Sequence, residues 1–195
     1  HLDICIIAEG ADAMNVQASA GALDKVGGCR WIWTAPDNPG LTRLTIAEEG
    51  TTRMQLNVFV MTPADLVING VIEGYRIGEY PPQMEDSPNT LPPDGYIRVT
   101  EDLLGVNVSP NFKLGQFVEQ QNGQFPKYIV LRERLLLKLE AFLEYLNEVG
   151  VEAESFSVVR GYITPAENRS LGGNRDSRHI YGGAATFIVD NDNDG

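Results

Sequence analysis

The sequence predicts an α+β protein with a β-rich first third. Two observations carry this. Residues 1–62 hold short β-prone runs separated by Gly, Pro and Asn turns, with no helical stripe. Residues 126–149 hold a strong 3–4 periodicity, followed by further short runs of both kinds. The chain has 195 residues, 43% of them hydrophobic, which suffices for one sizeable core or two small ones. A wholly disordered acidic chain is thereby excluded.

The β-prone runs of the first third are Asp3–Ile7, Asn15–Ser19, Cys29–Trp33, Leu41–Ile46 and Met54–Met61. Pro36-Asp-Asn-Pro-Gly40 and Glu48-Glu-Gly-Thr-Thr52 separate the later ones. This pattern predicts a small β-sandwich over 1–62. The Trp33-x-Ala-Pro-x-x-Pro-Gly40 stretch followed by two strands resembles bacterial immunoglobulin-like domains. Cys5 and Cys29 both fall on strand-like runs. They read either as a disulfide across the sandwich or as two buried thiols.

Residues 63–107 read as a connecting segment with short strands. They are rich in Pro and Gly, yet Ile68, Val71, Ile72, Tyr75 and Ile77 are too apolar for a solvated linker. A short helix is expected near 112–121. The long amphipathic helix is expected over 126–149, with Pro126 in its first turn and Gly150 at its stop. Its apolar stripe runs Ile129, Leu135, Leu136, Leu139, Phe142, Leu143 and Leu146, with Arg132 as the polar exception. Ser155–Val159 and Ala184–Val189 read as strands. Thr164-Pro-Ala-Glu167 has the form of a capping box, opening a short helix that stops at Gly172-Gly173.

The charge is −12, from 15 Lys and Arg against 27 Asp and Glu. That sign argues against nucleic acid and anionic membrane surfaces as partners. No apolar run approaches the roughly 20 residues that span a bilayer, so membrane insertion is not expected. The chain opens on His1 and reads as a processed or trimmed form.

Two motifs carry chemistry. Ser177-Arg-His-Ile-Tyr-Gly-Gly-Ala184 matches, at Ser177, His179, Gly182 and Ala184, the Ser-x-His-x-x-Gly-x-Ala-x-Asp motif of zinc D-alanyl-D-alanine carboxypeptidases. Upstream, Arg160-Gly-Tyr-Ile-Thr-Pro-Ala-Glu-Asn-Arg169 resembles that family's Ser-Gly-Tyr-Arg-Thr-Pro-x-x-Asn-Arg. The likeness covers roughly 108–190. It implies a DD-peptidase-like domain over 108–195, with the long helix packed on an antiparallel sheet, in an exported protein of the bacterial periplasm or cell surface.

The resemblance also implies zinc, with His179 as first ligand, an Asp seven residues later and a second His further on. Here Thr186 stands at the Asp position and no later His follows. Catalytic zinc needs three protein ligands and an open position for water, so the site is incomplete. His179 therefore reads as a zinc remnant or as a hydrogen-bonded relic. The family's substrate-clamping Arg is replaced by Ile163. Arg160, on a strand, is expected to face the same way as Tyr162 and opposite to Ile163. Tyr162, Ser177 and Arg178 remain candidate substrate contacts.

The second motif is Asp190-Asn-Asp-Asn-Asp-Gly195, the first half of a calcium loop built on Asp190, Asp192 and Asp194. It reads as a weak calcium site or a solvated acidic tail. Its abrupt end makes the domain read as C-terminally incomplete.

The expected function is a non-catalytic DD-peptidase-like envelope protein, with peptidoglycan stem peptide or other envelope proteins as partners. The alternatives are a zinc carboxypeptidase or endopeptidase seen without its last ligands, and a self-assembling subunit of an extracellular fibre or surface layer.

Overall fold

The computed structural model describes residues 2–7, 13–82, 90–119 and 124–189. The chain forms two compact units, His1–Met61 and Thr62–Gly195. The fold is sheet-rich α+β, and every strand pairing among the described residues is antiparallel.

The first unit holds β1 (Leu2–Cys5), β2 (Met14–Ala18), β3 (Ala22–Gly27), β4 (Arg30–Thr34), β5 (Gly40–Glu48) and β6 (Thr51–Val60). They form two three-stranded sheets, ordered β1-β4-β3 and β2-β5-β6. Alternation explains the burial. Trp31 and Trp33 of β4 and Thr42, Leu44 and Ile46 of β5 point inward at every second position. Ile4 and the two tryptophans from one sheet share a core with Val16, Leu44 and Ile46 from the other. The Trp33 indole donates to the Ala20 carbonyl at 2.8 Å, so its polar edge is not stranded. Cys5 and Cys29 are both thiols; Cys5 is exposed and Cys29 half-buried, which corrects the expectation of two buried thiols.

The second unit opens with β7 (Thr62–Pro63), β8 (Val71–Ile72), β9 (Tyr75–Arg76) and β10 (Gly95–Val99). Residues 63–107 thus carry short strands and are part of this unit. Next come β11 (Lys127–Ile129), α1 (Glu133–Glu148), β12 (Ser157–Arg160), α2 (Pro165–Ser170) and β13 (Thr186–Ile188). The sheets are β11-β10-β7, the hairpin β8-β9 and the pair β12-β13.

Two helix expectations are corrected. The long helix begins at Glu133, because Lys127, Tyr128 and Ile129 pair with Val99, Arg98 and Ile97 as a fully buried strand at the edge of their three-stranded sheet. Four consecutive buried residues, 127–130, cannot lie on one helical stripe, whereas a strand covered on both faces accommodates them. The helix expected near 112–121 is a single 3₁₀ turn, Leu114–Phe117, too short to be an α-helix.

Helix α1 buries Leu135, Leu136, Leu139 and Leu143, as its periodicity requires. It ends where Gly150 N–H donates to Asn147 and Val151 N–H reaches back to Leu146 at 2.9 Å. Phe142 of α1 extends into an aromatic group, 5.7 Å from Phe156 and 6.0 Å from Phe187 of β13. Phe156 is the hub. It stacks on Phe187 at 4.5 Å, meets Phe112 at 5.6 Å and is 1% exposed. The Thr164 hydroxyl accepts from Glu167 N–H at 3.1 Å and caps α2, with Pro165 in the first turn.

Phe156→Ala is expected to cost about 3–5 kcal/mol, measured by urea denaturation, because it empties the centre of this cluster. Thr164→Ala is expected to cost about 1 kcal/mol and Thr164→Ser almost nothing, since Ser keeps the capping oxygen. Equal losses in the two Thr164 variants would show that the methyl group, not the cap, matters there.

Candidate functional site

The site is assembled on one backbone crossing. Strand β12 ends at Arg160, and Gly161 then passes against the turn that carries Phe117. A Cβ at Gly161 would stand 2.5 Å from the Phe117 carbonyl oxygen, so no larger residue fits. Tyr162 N–H donates to that same carbonyl at 3.2 Å. The Gly161 carbonyl is left facing the 3₁₀ turn Arg178–Tyr181, where His179 Nδ1 lies 2.8 Å away.

That contact fixes the imidazole. A carbonyl only accepts, so Nδ1 is the donor to it, and in the neutral ring Nε2 is then the nitrogen with the lone pair. Nε2 faces Thr186 Oγ1 at 3.4 Å. Thr186 reaches this position because β13 pairs with β12 in the register Arg160↔Thr186. The sequence placed these two residues at the first and second ligand positions of a zinc site, and the fold brings them together. His179 is half-buried and Thr186 exposed.

The donor set does not fit zinc. One imidazole and one neutral hydroxyl supply two contacts and no negative charge, against three protein ligands in catalytic sites. Among the described residues no three His, Cys, Asp or Glu side chains converge. The Asp176 backbone N–H donates to Asn174 Oδ1 at 3.0 Å within their loop. The candidate calcium ligands Asp190, Asp192 and Asp194 lie outside the described residues.

The clamp position has also changed character. Ile163 is buried in an apolar cluster with Ile180 and Tyr181, and Tyr80 packs against it. Strict alternation along 160–163 does not hold. The strand stops at Arg160, and Gly161, Tyr162, Ile163 and Thr164 are all buried, so Tyr162 and Ile163 both face inward. Arg160 is exposed. The Tyr162 hydroxyl is 3.1 Å from that of Tyr80, and burial holds both phenols far above their ordinary titration range. Tyr162 is therefore a packing residue with a satisfied hydroxyl. Ser177 opens the 3₁₀ turn, its carbonyl accepting from Ile180 N–H at 3.2 Å. Arg178 is exposed and lines a cleft to which neither His179 nor Thr186 belongs.

Gly182 closes the turn in the left-handed region at φ 64°. A Cβ there would stand 2.3 Å from the Val130 carbonyl oxygen. The Gly of the motif is thus demanded by packing alone.

No family model, curated protein or solved structure matches the chain. The likeness to zinc peptidases rests on its own motif residues.

Two clefts, each of about 590 Å³, adjoin the crossing. One is lined by Gly161, Arg160, Tyr162 and Glu119; the other by Glu119, Glu167, Arg76 and Glu73. Glu119, which lines both, was not legible as a site residue, since nothing near 119 forms a motif. Burial raises its pKa, the Glu167 carboxylate adds to this, and Lys127 and Arg160 oppose it. Lys127 is 3% exposed, and its ammonium donates to the Glu119 carbonyl oxygen. Burial lowers the Lys127 pKa while Glu119 pulls it back up.

A raised carboxylate pKa means that the native state binds more protons than the unfolded chain above the ordinary carboxylate range. Stability is then lost as pH rises through that interval. Glu119→Gln is expected to melt higher than wild type near pH 7 and at the same temperature near pH 4, measured by thermal scans at both. A difference of the same size at both pH values would show that the carboxylate's charge is not the cause.

Proposed function

We propose that the chain is an exported bacterial envelope protein whose second unit is a DD-peptidase-like module that holds a peptidoglycan stem peptide or a neighbouring envelope protein without hydrolysing it. The observation that supports this best is the pairing of His179 with Thr186. The residues sit together as a metal site would need them, yet the partner is a neutral hydroxyl. A second observation points the same way. The position of the family's carboxylate clamp is filled by Ile163 inside an apolar cluster, where an unpaired carboxylate would be costly to bury. Hydrolysis depends on the metal ligand and the clamp serves a free terminal carboxylate, so without both the cleft suits a peptide or protein segment that presents no such carboxylate there.

In the first unit, two three-stranded sheets around one core suit an immunoglobulin-like spacer. The reading includes export to the periplasm or cell surface.

The test has three readouts on the full chain. Metal analysis by mass spectrometry is expected to find no stoichiometric zinc in wild type or in His179→Ala. Incubation with a D-alanyl-D-alanine peptide and added zinc is expected to release no D-alanine. Sedimentation with purified peptidoglycan sacculi is expected to carry the protein down. Zinc-dependent release of D-alanine would overturn the non-catalytic reading. A protein that stays wholly in the supernatant would remove peptidoglycan as the partner. Thr186→Asp, which restores an anionic oxygen beside Nε2, is expected to tighten zinc binding at least tenfold over wild type. Unchanged affinity would show that the two positions do not share a metal-sized space.

A further inference from the structure

The protein carries a net charge of −12, yet one cleft is lined by four cations and no acid. It measures about 340 Å³. Arg132, Arg134 and Lys138 from the start of α1 face Arg178 from the 3₁₀ turn, with Tyr181 and Gly183 completing the wall. Among the described residues, the Arg134, Lys138 and Arg178 side chains make no hydrogen bond and no ion pair. All three are exposed.

Arg132 is different. Its Nε donates to the Tyr181 carbonyl at 2.9 Å and its Nη2 to the Leu91 carbonyl at 3.3 Å. These contacts fix the guanidinium at the cleft. They also explain why a polar residue interrupts the apolar stripe read from the sequence.

Local stability argues against this arrangement. Arg134 and Lys138 are four residues apart on one helix face and repel each other. Arg132 is the N-cap of α1 and Arg134 lies in its first turn, where the helix end is already positive and favours acids. Glu133 is the acid of that turn, and it does not line the cleft. Arg132 and Arg134 stand against the helix potential and Arg134 and Lys138 against each other, and an anion in the cleft would offset both.

We propose that this cleft binds a multiply charged oxyanion. Guanidinium groups match phosphate and carboxylate oxygens in paired hydrogen bonds, and Lys138 adds a point charge. The site lies apart from His179 and Thr186, so it stands whether or not the module is catalytic.

Isothermal titration of the full chain with inorganic pyrophosphate, and separately with citrate, tests it. Saturable one-to-one binding is expected, weakened at least tenfold in Arg178→Ala and in Lys138→Ala. Tighter binding of pyrophosphate would assign the ligand a phosphoryl group; tighter binding of citrate would assign it a cluster of carboxylates. Neither side chain holds another part of the fold, and far-UV circular dichroism verifies that both variants are folded. Pyrophosphate at saturation should raise the melting temperature of wild type and leave Arg178→Ala unmoved. Affinity unchanged in both variants, or heats that follow ionic strength without saturating, would overturn the proposal.

Discussion

The second unit depends on the close passage of Gly161 over the Phe117 turn. Backbone meets backbone there at a distance no side chain survives, and four features follow from it. Tyr162 is drawn inward by its N–H bond to Phe117. The Gly161 carbonyl is turned toward His179 and sets its tautomer. Thr164 arrives where its hydroxyl can cap α2. Ile163 is pushed among Ile180 and Tyr181. A hydrogen bond to a buried, immobile carbonyl orients an imidazole as firmly as the outer-shell partners of a metal ligand do. The arrangement thus holds the imidazole precisely, with a neutral hydroxyl as its second neighbour.

Several residues of the two motifs are required by packing. Gly161 and Gly182 are each required by a carbonyl that would collide with a Cβ. Thr164 and Pro165 are required by the helix they open. The two glycines serve the fold, and Thr164 is replaceable at little cost only by a residue that keeps its capping oxygen. Thr186 and Ile163 stand where the resembled motifs carry an Asp and an Arg, and an isoleucine in this dry cluster is better placed than an unpaired guanidinium would be.

The same division governs what the sequence reveals. Inward alternation along 30–34 and 42–46, the Leu stripe of α1 and the cap at Thr164 are local patterns, and each corresponds to an element of the structure. The start of α1 was misplaced because Lys127–Ile129 is apolar enough to extend the stripe, and only pairing with β10, remote in sequence, makes it a strand. Helical periodicity and continuous burial cannot be told apart over three or four residues. The meeting of His179 with Thr186 was legible as a spacing, but the identity of the Nδ1 partner was not, since Gly161 is 18 residues away. Glu119 stands alone in the sequence, and although Arg134 and Lys138 stand at helical spacing, only the fold brings Arg178 of the 3₁₀ turn to them.

The two sides of the 3₁₀ turn Arg178–Tyr181 obey opposite rules. On the His179 side the central polar groups have partners: the imidazole has Gly161 and Thr186, and the Tyr162 hydroxyl has Tyr80. A ligand on that side would meet no unpaired charge among these groups. On the Arg178 side the local rules are broken at once. Like charges stand at helical spacing, each such pair costing about 0.2–0.5 kcal/mol, and cations crowd the positive end of a helix. Natural sequences are consistent across levels except where function imposes a conflict, and a conflict kept without internal compensation is itself evidence of an external partner. The satisfied side of the turn is where the resemblance lies, and the unsatisfied side is where the present protein has something to bind.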